Sequence, residues 1–335
     1  MIGDSEDARK MKGVGDVKRG EEAGLISACR DGAVYVAVRV VIAVVGIFPL
    51  DVCRRFLGTL AFVLTDLFGV RRKVLDENLR NAFPESTRAE RRRLTRRMWE
   101  HLLMMGVEFC LGRRRIHETN WRDSVTLVDG EKMVRLFFEE RPILMVTGHF
   151  GNFEMGGHLL GLLGYPTYSV ARHLDNRFLD RYISRLREST GQYLIEKKGA
   201  AEHFEELMAR GETVAFLADQ SAGPKGCWVD FFGRPASAFK AIALLSLQYR
   251  APILVCHSVR VNAPSMRFLL EPVALFDPDQ EDADSASVFE ITQWFTSLLE
   301  ESVRQRPEQY WWLHRRWKTY GKNISLEAIR AKKRH

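Results

Sequence analysis

The sequence lacks several patterns that would assign it to a common class of protein. Its five cysteines are scattered and form no Cys-x-x-Cys pair, which argues against a disulfide framework or a cysteine-ligated zinc site. Neither a Gly-rich phosphate loop nor a Gly-x-Gly-x-x-Gly fingerprint follows a predicted strand, so no nucleotide site is predicted. A Gly-x-Ser-x-Gly nucleophile elbow is also missing, and this disfavours a serine hydrolase.

Composition is that of an ordinary globular protein, with an excess of positive charge. The 335 residues suffice for one large domain or two modest ones. The formal net charge of +7 indicates an anionic partner. By charge alone, nucleic acid and a phospholipid surface fit equally well.

Long apolar segments are few and lie near the N-terminus. Residues 33–50 are apolar except for Arg39, and a second apolar run follows at 56–69. The first run is marginal in length for a membrane span, and a central arginine is costly there. We predict that residues 31–70 form an apolar helical membrane anchor, either one spanning helix or an interfacial hairpin. A buried hairpin in a soluble core is the alternative. Residues 1–30 are polar and predict a disordered cytosolic tail.

Residues 71–125 are predicted to be helical and basic. Pro84 ends the first helix, and Ser86 or Thr87 can cap the next one with Glu90 closing a capping box. The second helix carries five arginines between 91 and 97 on one side and apolar residues on the other. We favour contact between this helix and anionic lipid headgroups, although a solvated surface helix has the same pattern.

From about residue 140, short apolar runs alternate with helical segments. Strands are predicted at 142–147, 166–171, 192–195, 213–218, 229–232, 252–260 and 267–271. Helices are predicted at 153–163, 176–189, 200–210, 236–249 and 286–306. This alternation predicts an α/β fold with a mixed, largely parallel sheet flanked by helices. We assign residues 126–322 to this domain and residues 323–335 to a basic tail.

A histidine follows the most apolar of the predicted strands. Residues 143–147 should form a central buried strand, which places His149 at the carboxyl end where ligands gather in α/β sheets. Glu154 lies five residues on, across a predicted strand–turn–helix junction. There its carboxylate can bind the second imidazole nitrogen and make His149 a stronger base for activating a hydroxyl. Alone, this spacing often arises by chance, and a lone histidine is usually structural.

Further blocks in the same order make the pattern specific. They are Asn78–Glu85 with Glu108; Arg172 with Asn176, Asp180 and Arg187; Asp219–Gln220 with residues 231–236; and Pro307–Lys318. With the His149–Glu154 segment, they resemble the His-x4-Asp/Glu motif of the lysophospholipid acyltransferase superfamily, and specifically the late acyltransferases of lipid A biosynthesis, the lauroyl and myristoyl transferases. The resemblance covers about residues 35–320. His173 departs from it, because proline is common at that position.

The resemblance implies a glycerolipid-acyltransferase-like fold and an activity. The enzyme would move a fatty acyl chain from an acyl-carrier-protein thioester directly to a hydroxyl of a membrane phosphoglycolipid, such as a lipid A precursor. His149 and Glu154 would be catalytic, no metal or cofactor would be needed, and the location would be the cytoplasmic face of the bacterial inner membrane. Another lysolipid or a phosphatidylinositol mannoside stays open as the acceptor.

Other protein classes fit the sequence less well. A lipid-ester hydrolase would share the pocket and the base but needs a nucleophile elbow. A metalloenzyme needs three or more ligands, whereas His149 and Glu154 supply two. A nucleic-acid binder would explain the charge but not the apolar run.

Five residues are predicted to bind substrate. Arg172 should contact an acceptor phosphate or the developing oxyanion. We favour the phosphate, since backbone amides near Gly148 and Gly151 can serve the oxyanion. Asp219 ends an apolar strand and is either an active-site residue or a turn cap. The remaining three are Asn152, Arg315 and Arg316; the arginines lie beside tryptophans and either contact headgroups or form ion pairs on a packed C-terminal helix.

Overall fold

The computed structural model describes residues 27–139, 141–171, 173–196, 200–261, 266–280, 286–321 and 324–331. These residues fall into two compact units. The described residues up to Ile47, together with His173–Arg185, form the first unit. The described residues within 48–172 and 186–335 form the second. Most of the predicted N-terminal tail, and Arg172 itself, lie outside the described residues.

The first unit is built on helix α1, which occupies residues 27–47. The side-chain amide of Asn176 donates to the carbonyl of Asp31 at 2.9 Å. The Arg39 guanidinium lies 4.6 Å from the centre of the Tyr182 ring. Among the described residues, no helix combines the length and the apolar character needed to cross a membrane. The spanning form of the predicted anchor is therefore not supported.

The second unit contains the other α-helices of the described chain, except that most of α7 belongs to the first unit. In order they are α2 (Leu50–Phe62), α3 (Arg72–Ala82), α4 (Arg88–Arg115), α5 (Gly130–Phe137), α6 (Phe153–Leu162), α7 (Arg177–Glu188, which begins in the first unit), α8 (Ala200–Ala209), α9 (Ala241–Tyr249), α10 (Val288–Gln305) and α11 (Leu326–Ala331). A π-helical turn, Val63–Leu67, continues α2. The predicted capping box is confirmed, with Thr87 as the cap and Glu90 as its partner. Helix α11 lies in the segment predicted to be a basic tail.

A seven-stranded sheet forms the centre of the second unit. Its strands are β1 (Val125–Leu127), β2 (Ile143–Thr147), β3 (Thr167–Ala171), β4 (Gln192–Glu196), β5 (Thr213–Leu217), β8 (Ile253–Arg260) and β9 (Phe268–Phe276). Their order across the sheet is β1-β9-β8-β2-β5-β3-β4. Every neighbouring pair is parallel except β8 and β9. The predicted α/β fold with a mostly parallel sheet is thus confirmed.

Strands β6 (Cys227–Phe231) and β7 (Arg234–Ala238) form a separate antiparallel hairpin. Strand β7 corrects the sequence analysis, which began a helix at residue 236. The helix starts only at Ala241. Strand β1 and helix α5 were not predicted either.

Alternate residues of β2 pack against opposite layers of helices. Leu144 and Val146 join a cluster that contains buried residues of α8, α9 and α10. Ile143 and Met145 join a second cluster with buried residues of α5 and α6. Because successive side chains of a strand point to opposite faces, a strand covered on both faces must be apolar throughout. Residues 143–146 of β2 are apolar and buried, and they meet that requirement.

Candidate active site

Two neighbouring parallel strands bring His149 and Asp219 together. Strand β2 pairs with β5 so that Thr147 lies opposite Leu217. His149 and Asp219 each follow two residues beyond these register partners. The carboxyl ends of parallel strands share one edge of the sheet, so both side chains emerge at the same place.

Three side chains form a hydrogen-bonded group at this edge. His149 Nδ1 lies 2.8 Å from Asp219 Oδ1. The other carboxylate oxygen, Oδ2, lies 3.2 Å from His314 Nε2. The Asp219 side chain is fully buried, whereas the side chains of His149 and His314 keep exposures of 15% and 16%. We define these three residues as the His149–Asp219–His314 triad.

Burial and charge act in opposite directions on these groups. Burial lowers the pKa of His149, but the charge and hydrogen bond of Asp219, aided by the charge of Glu154, outweigh it and raise that pKa above its ordinary value. Burial likewise raises the pKa of Asp219, yet the two histidines hold it well below its usual range. Asp219 is therefore a buried carboxylate at neutral pH, and its partner is a strengthened base.

A hydrogen-bonded turn fixes the backbone of His149. The His149 carbonyl accepts the backbone N–H of Trp311 at 2.9 Å, and the Gly151 N–H donates to Gln309 at the same distance. Gly151 has a φ of +62°, and a Cβ there would lie 2.1 Å from the Ser258 carbonyl oxygen. Only glycine fits this turn without strain. The C-terminal segment is thus part of the site.

A buried charged network lies beneath the same turn. The Glu108 carboxylate is fully buried and receives hydrogen bonds from Arg260 and from the Asn152 amide. His101 contacts the carbonyl of Gly151 at 3.0 Å through Nε2 and Arg260 through Nδ1. Burial and the charge of Arg260 keep the pKa of His101 well below its ordinary value. A neutral His101 thus completes the support of the turn.

The sequence predicts a hydrogen bond between Glu154 and His149, but in the structure each of the two side chains binds another residue. The imidazole nitrogen assigned to Glu154 faces Asp219 instead. Both carboxylate oxygens of Glu154 are bound by Arg187, at 2.9 Å from Nε and 2.5 Å from Nη2. The spacing argument selected the carboxylate nearest in sequence, whereas the pairing of β2 with β5 supplies one that lies nearer in space.

Several predicted substrate-binding residues are buried. Asn152 has no exposed surface; it caps α6 through the Met155 N–H and donates to Glu108. Arg316 is buried, lies over the Phe231 ring and donates to the Ser237 carbonyl, whereas the predicted headgroup contact would need an accessible side chain. Arg315 is exposed. The segment that contains both arginines is not helical.

The remaining nitrogen of His149 lies beside polar and aromatic side chains. Its Nε2 is 3.4 Å from the amide nitrogen of Gln220, which is exposed. The Phe153 and Trp311 rings approach the imidazole edge-on, with centroids 5.0 and 5.8 Å away. With Nδ1 engaged by Asp219, Nε2 is the atom that can accept a proton from a substrate.

The triad offers more potential metal donors than the two foreseen from sequence. Its three donor atoms lie within 4.8 Å of one another, close enough for a divalent ion. His149 Nδ1, His314 Nε2 and both oxygens of Asp219 already take part in hydrogen bonds within the triad, at 2.8 and 3.2 Å. We therefore interpret the group as a hydrogen-bonded triad.

Sequence comparison identifies several relatives of this chain. Relatives include the lipid A biosynthesis palmitoleoyltransferase of Escherichia coli K12, 26% identical over 79% of this chain and 84% of its own. The lauroyltransferase of the same organism is 26% identical over 74% and 79% of the two chains, and the myristoyltransferase is 23% identical over 72% and 73%. Residues 27–319 match the family described as bacterial lipid A biosynthesis acyltransferase, and the chain therefore belongs to that family.

Proposed function

We propose that this protein transfers a fatty acyl chain from an acyl-carrier-protein thioester to a hydroxyl of a membrane phosphoglycolipid, such as a lipid A precursor, with His149 as the general base. One observation carries the proposal: His149 binds the buried Asp219 through Nδ1, while its Nε2 lies beside the exposed Gln220. A base oriented in this way can take a proton from an incoming hydroxyl.

The reaction follows from this orientation. The acceptor oxygen attacks the thioester carbonyl carbon while His149 Nε2 takes its proton. The C–S bond then breaks, and the thiolate leaves with the proton returned by the imidazolium. Charge on the Asp219 carboxylate stabilises the imidazolium between these two steps. The products are an ester and a free thiol, and neither a metal ion nor a covalent acyl-enzyme is required.

Two of the backbone amides near Gly148 and Gly151 are not available to stabilise the oxyanion. The N–H groups of Gly151 and Asn152 already donate to the carbonyls of Gln309 and Ser258. The amide of Gln220 lies next to the reacting nitrogen and is exposed. We infer that Gln220 moves from His149 to the acceptor hydroxyl or the oxyanion when substrate binds. Arg172 and Arg315 are proposed to bind the acceptor phosphate and headgroup.

Membrane attachment is proposed to be interfacial. Helix α1 exposes apolar side chains, among them Val41 and Ile47. In the second unit, Leu67 and Phe68 are largely exposed at the end of the π-helical turn that continues α2. The Arg96 guanidinium lies 5.0 Å from the centre of the Phe62 ring, at the end of α2. Apolar side chains bordered by arginine suit an anionic bilayer surface. Such attachment fits the cytoplasmic face of a bacterial inner membrane.

Transfer assays test the proposed function directly. Purified protein is incubated with acyl-carrier-protein thioesters and a panel of acceptors that carry or lack a phosphate. We expect ester formation with phosphorylated glycolipids, and its loss by about two to four orders of magnitude in His149→Ala. Release of free fatty acid without ester formation would favour the hydrolase alternative. Equal transfer in wild type and His149→Ala would refute the proposal.

A further inference from the structure

His314 contacts the carboxylate that holds His149. Its Nε2 lies 3.2 Å from Asp219 Oδ2, on the side opposite the oxygen that binds His149. The two imidazole rings are 4.8 Å apart and nearly perpendicular. Asp219 therefore contacts two histidines. It binds His149 through Nδ1, which leaves Nε2 of His149 for a substrate, and it binds His314 through Nε2.

His314 is held in place by contacts from two directions. Its ring stacks on Trp311, with 12° between the planes and 6.2 Å between the centroids. The buried amide of Asn78 donates to the carbonyl of His314 at 2.6 Å and to that of Trp312 at 2.7 Å. Ordering a side chain costs conformational entropy. The contacts that order His314 therefore indicate that its position matters to the site.

We propose that His314 is a positioning residue that orients Asp219 for the general base, and that Asn78 acts through it. This inference rests on the proposed function. An N–H on Oδ2 fixes the rotation of the carboxylate, so that Oδ1 points at His149 Nδ1. It also withdraws negative charge from Oδ1, which limits how strongly Asp219 favours the protonated form of His149.

Other charged groups face this cluster and remain present in the variants proposed below. Glu154 raises the pKa of His149. Tyr310 and Arg316 are buried near Asp219; burial and the charge of Asp219 hold the pKa of Tyr310 well above its ordinary value. Because these groups remain unchanged, a shift in the pH profile of a His314 variant reports on His314 itself.

The test compares a substitution that removes the donor with one that retains it. In His314→Leu, Asp219 keeps its charge but loses a partner, so protonation of His149 becomes more favourable. The acid limb of the pH–rate profile is the range in which activity rises as His149 loses its proton. This limb should move to higher pH by about one unit, the effect expected of one hydrogen bond to a charged group. His314→Gln places an amide N–H near Nε2 and should restore the wild-type limb.

Asn78→Ala is a second variant, and it removes the hydrogen bond to the backbone carbonyl of His314. It should shift the limb in the same direction as His314→Leu, while acceptor KM stays near the wild-type value in both. Thermal melting of each variant measures the folded fraction, because loss of folded protein lowers the rate without moving the limb. An unshifted limb in His314→Leu, with His149→Ala inactive, would overturn the inference and leave the proposed function intact. An active His149→Ala would overturn both.

Discussion

Arg187 binds both carboxylate oxygens of Glu154, with contacts of 2.9 and 2.5 Å. The pair is largely buried and joins the first turn of α6 to the end of α7. Glu154 is therefore close enough to raise the pKa of His149 by its charge, while its hydrogen bonds go to arginine. This geometry distinguishes the two acidic residues by their contacts: Asp219 binds His149 directly, and Glu154 binds Arg187. We therefore propose that Asp219 orients the base and that Glu154 has a supporting role.

A double-mutant cycle tests the separation. Glu154→Gln should lower kcat less than His149→Ala does, because the imidazole and its Asp219 partner remain. Arg187→Met should have a similar effect, since it leaves Glu154 unpaired. The two losses should be strongly non-additive in the double variant, as expected for partners in one ion pair. Additive losses would show that Glu154 acts independently of Arg187.

Gly151 provides a test of the turn that supports His149. Alanine at this position must adopt a positive φ and also approach the Ser258 carbonyl at 2.1 Å. We expect Gly151→Ala to destabilise the protein by about 2 kcal/mol or more, as measured by chemical denaturation. Gly164→Ala is the matched control, because φ is +89° there but no atom lies within 4 Å of the added Cβ. Equal losses in both variants would mean that the close approach is unimportant.

Interfacial attachment predicts a position-dependent effect of exposed phenylalanines. Phe68→Ser should weaken binding to anionic vesicles about tenfold, because it removes one apolar side chain from the bilayer surface. Phe138→Ser is the matched control, since Phe138 at the end of α5 is 75% exposed and Phe68 is 74% exposed. Vesicle co-sedimentation measures both variants. A loss of binding in Phe138→Ser equal to that in Phe68→Ser would contradict the proposed surface.

Arg172 is predicted to bind the acceptor phosphate. Guanidinium binds phosphate through two parallel hydrogen bonds, and lysine cannot reproduce them. Arg172→Lys should therefore raise KM for phosphorylated acceptors and leave kcat near its wild-type value. The same variant assayed on acceptors without the phosphate is the control and should behave like wild type. Losses confined to kcat on both acceptors would instead place Arg172 at the oxyanion.

The elements that the sequence predicts best are those with local patterns. Continuous apolar runs identified β2 and β5, and the capping residues identified the start of α4. Strand β7 was missed because it contains a proline and two small residues, Ala236 and Ser237. Its sequence lacks the alternation of apolar and polar residues that predicts a strand. Local sequence carries the information for such elements only when burial makes one face apolar.

Spacing along the chain could not predict contacts between residues that are far apart in the sequence. Asp219 lies 70 residues from His149, and Arg187 lies 33 residues from Glu154. Both acidic residues were identified as candidates, and both strand ends were predicted. The partners were not, because strand order decides which ends become neighbours, and one sequence does not specify that order. His314 was noted only with the adjacent arginines of the C-terminal segment, and its contact with Asp219 was not predicted.

The most direct test of the general-base proposal is the pH profile of kcat in Asp219→Asn, compared with wild type. In the wild type, the acid limb should lie above the ordinary histidine pKa of 6.5, because Asp219 favours the protonated imidazole. Asparagine removes that charge, so the limb should move to lower pH while the maximal rate falls by about two to four orders of magnitude. A near-normal maximal rate with an unmoved limb would contradict the pairing of His149 with Asp219 as the catalytic base.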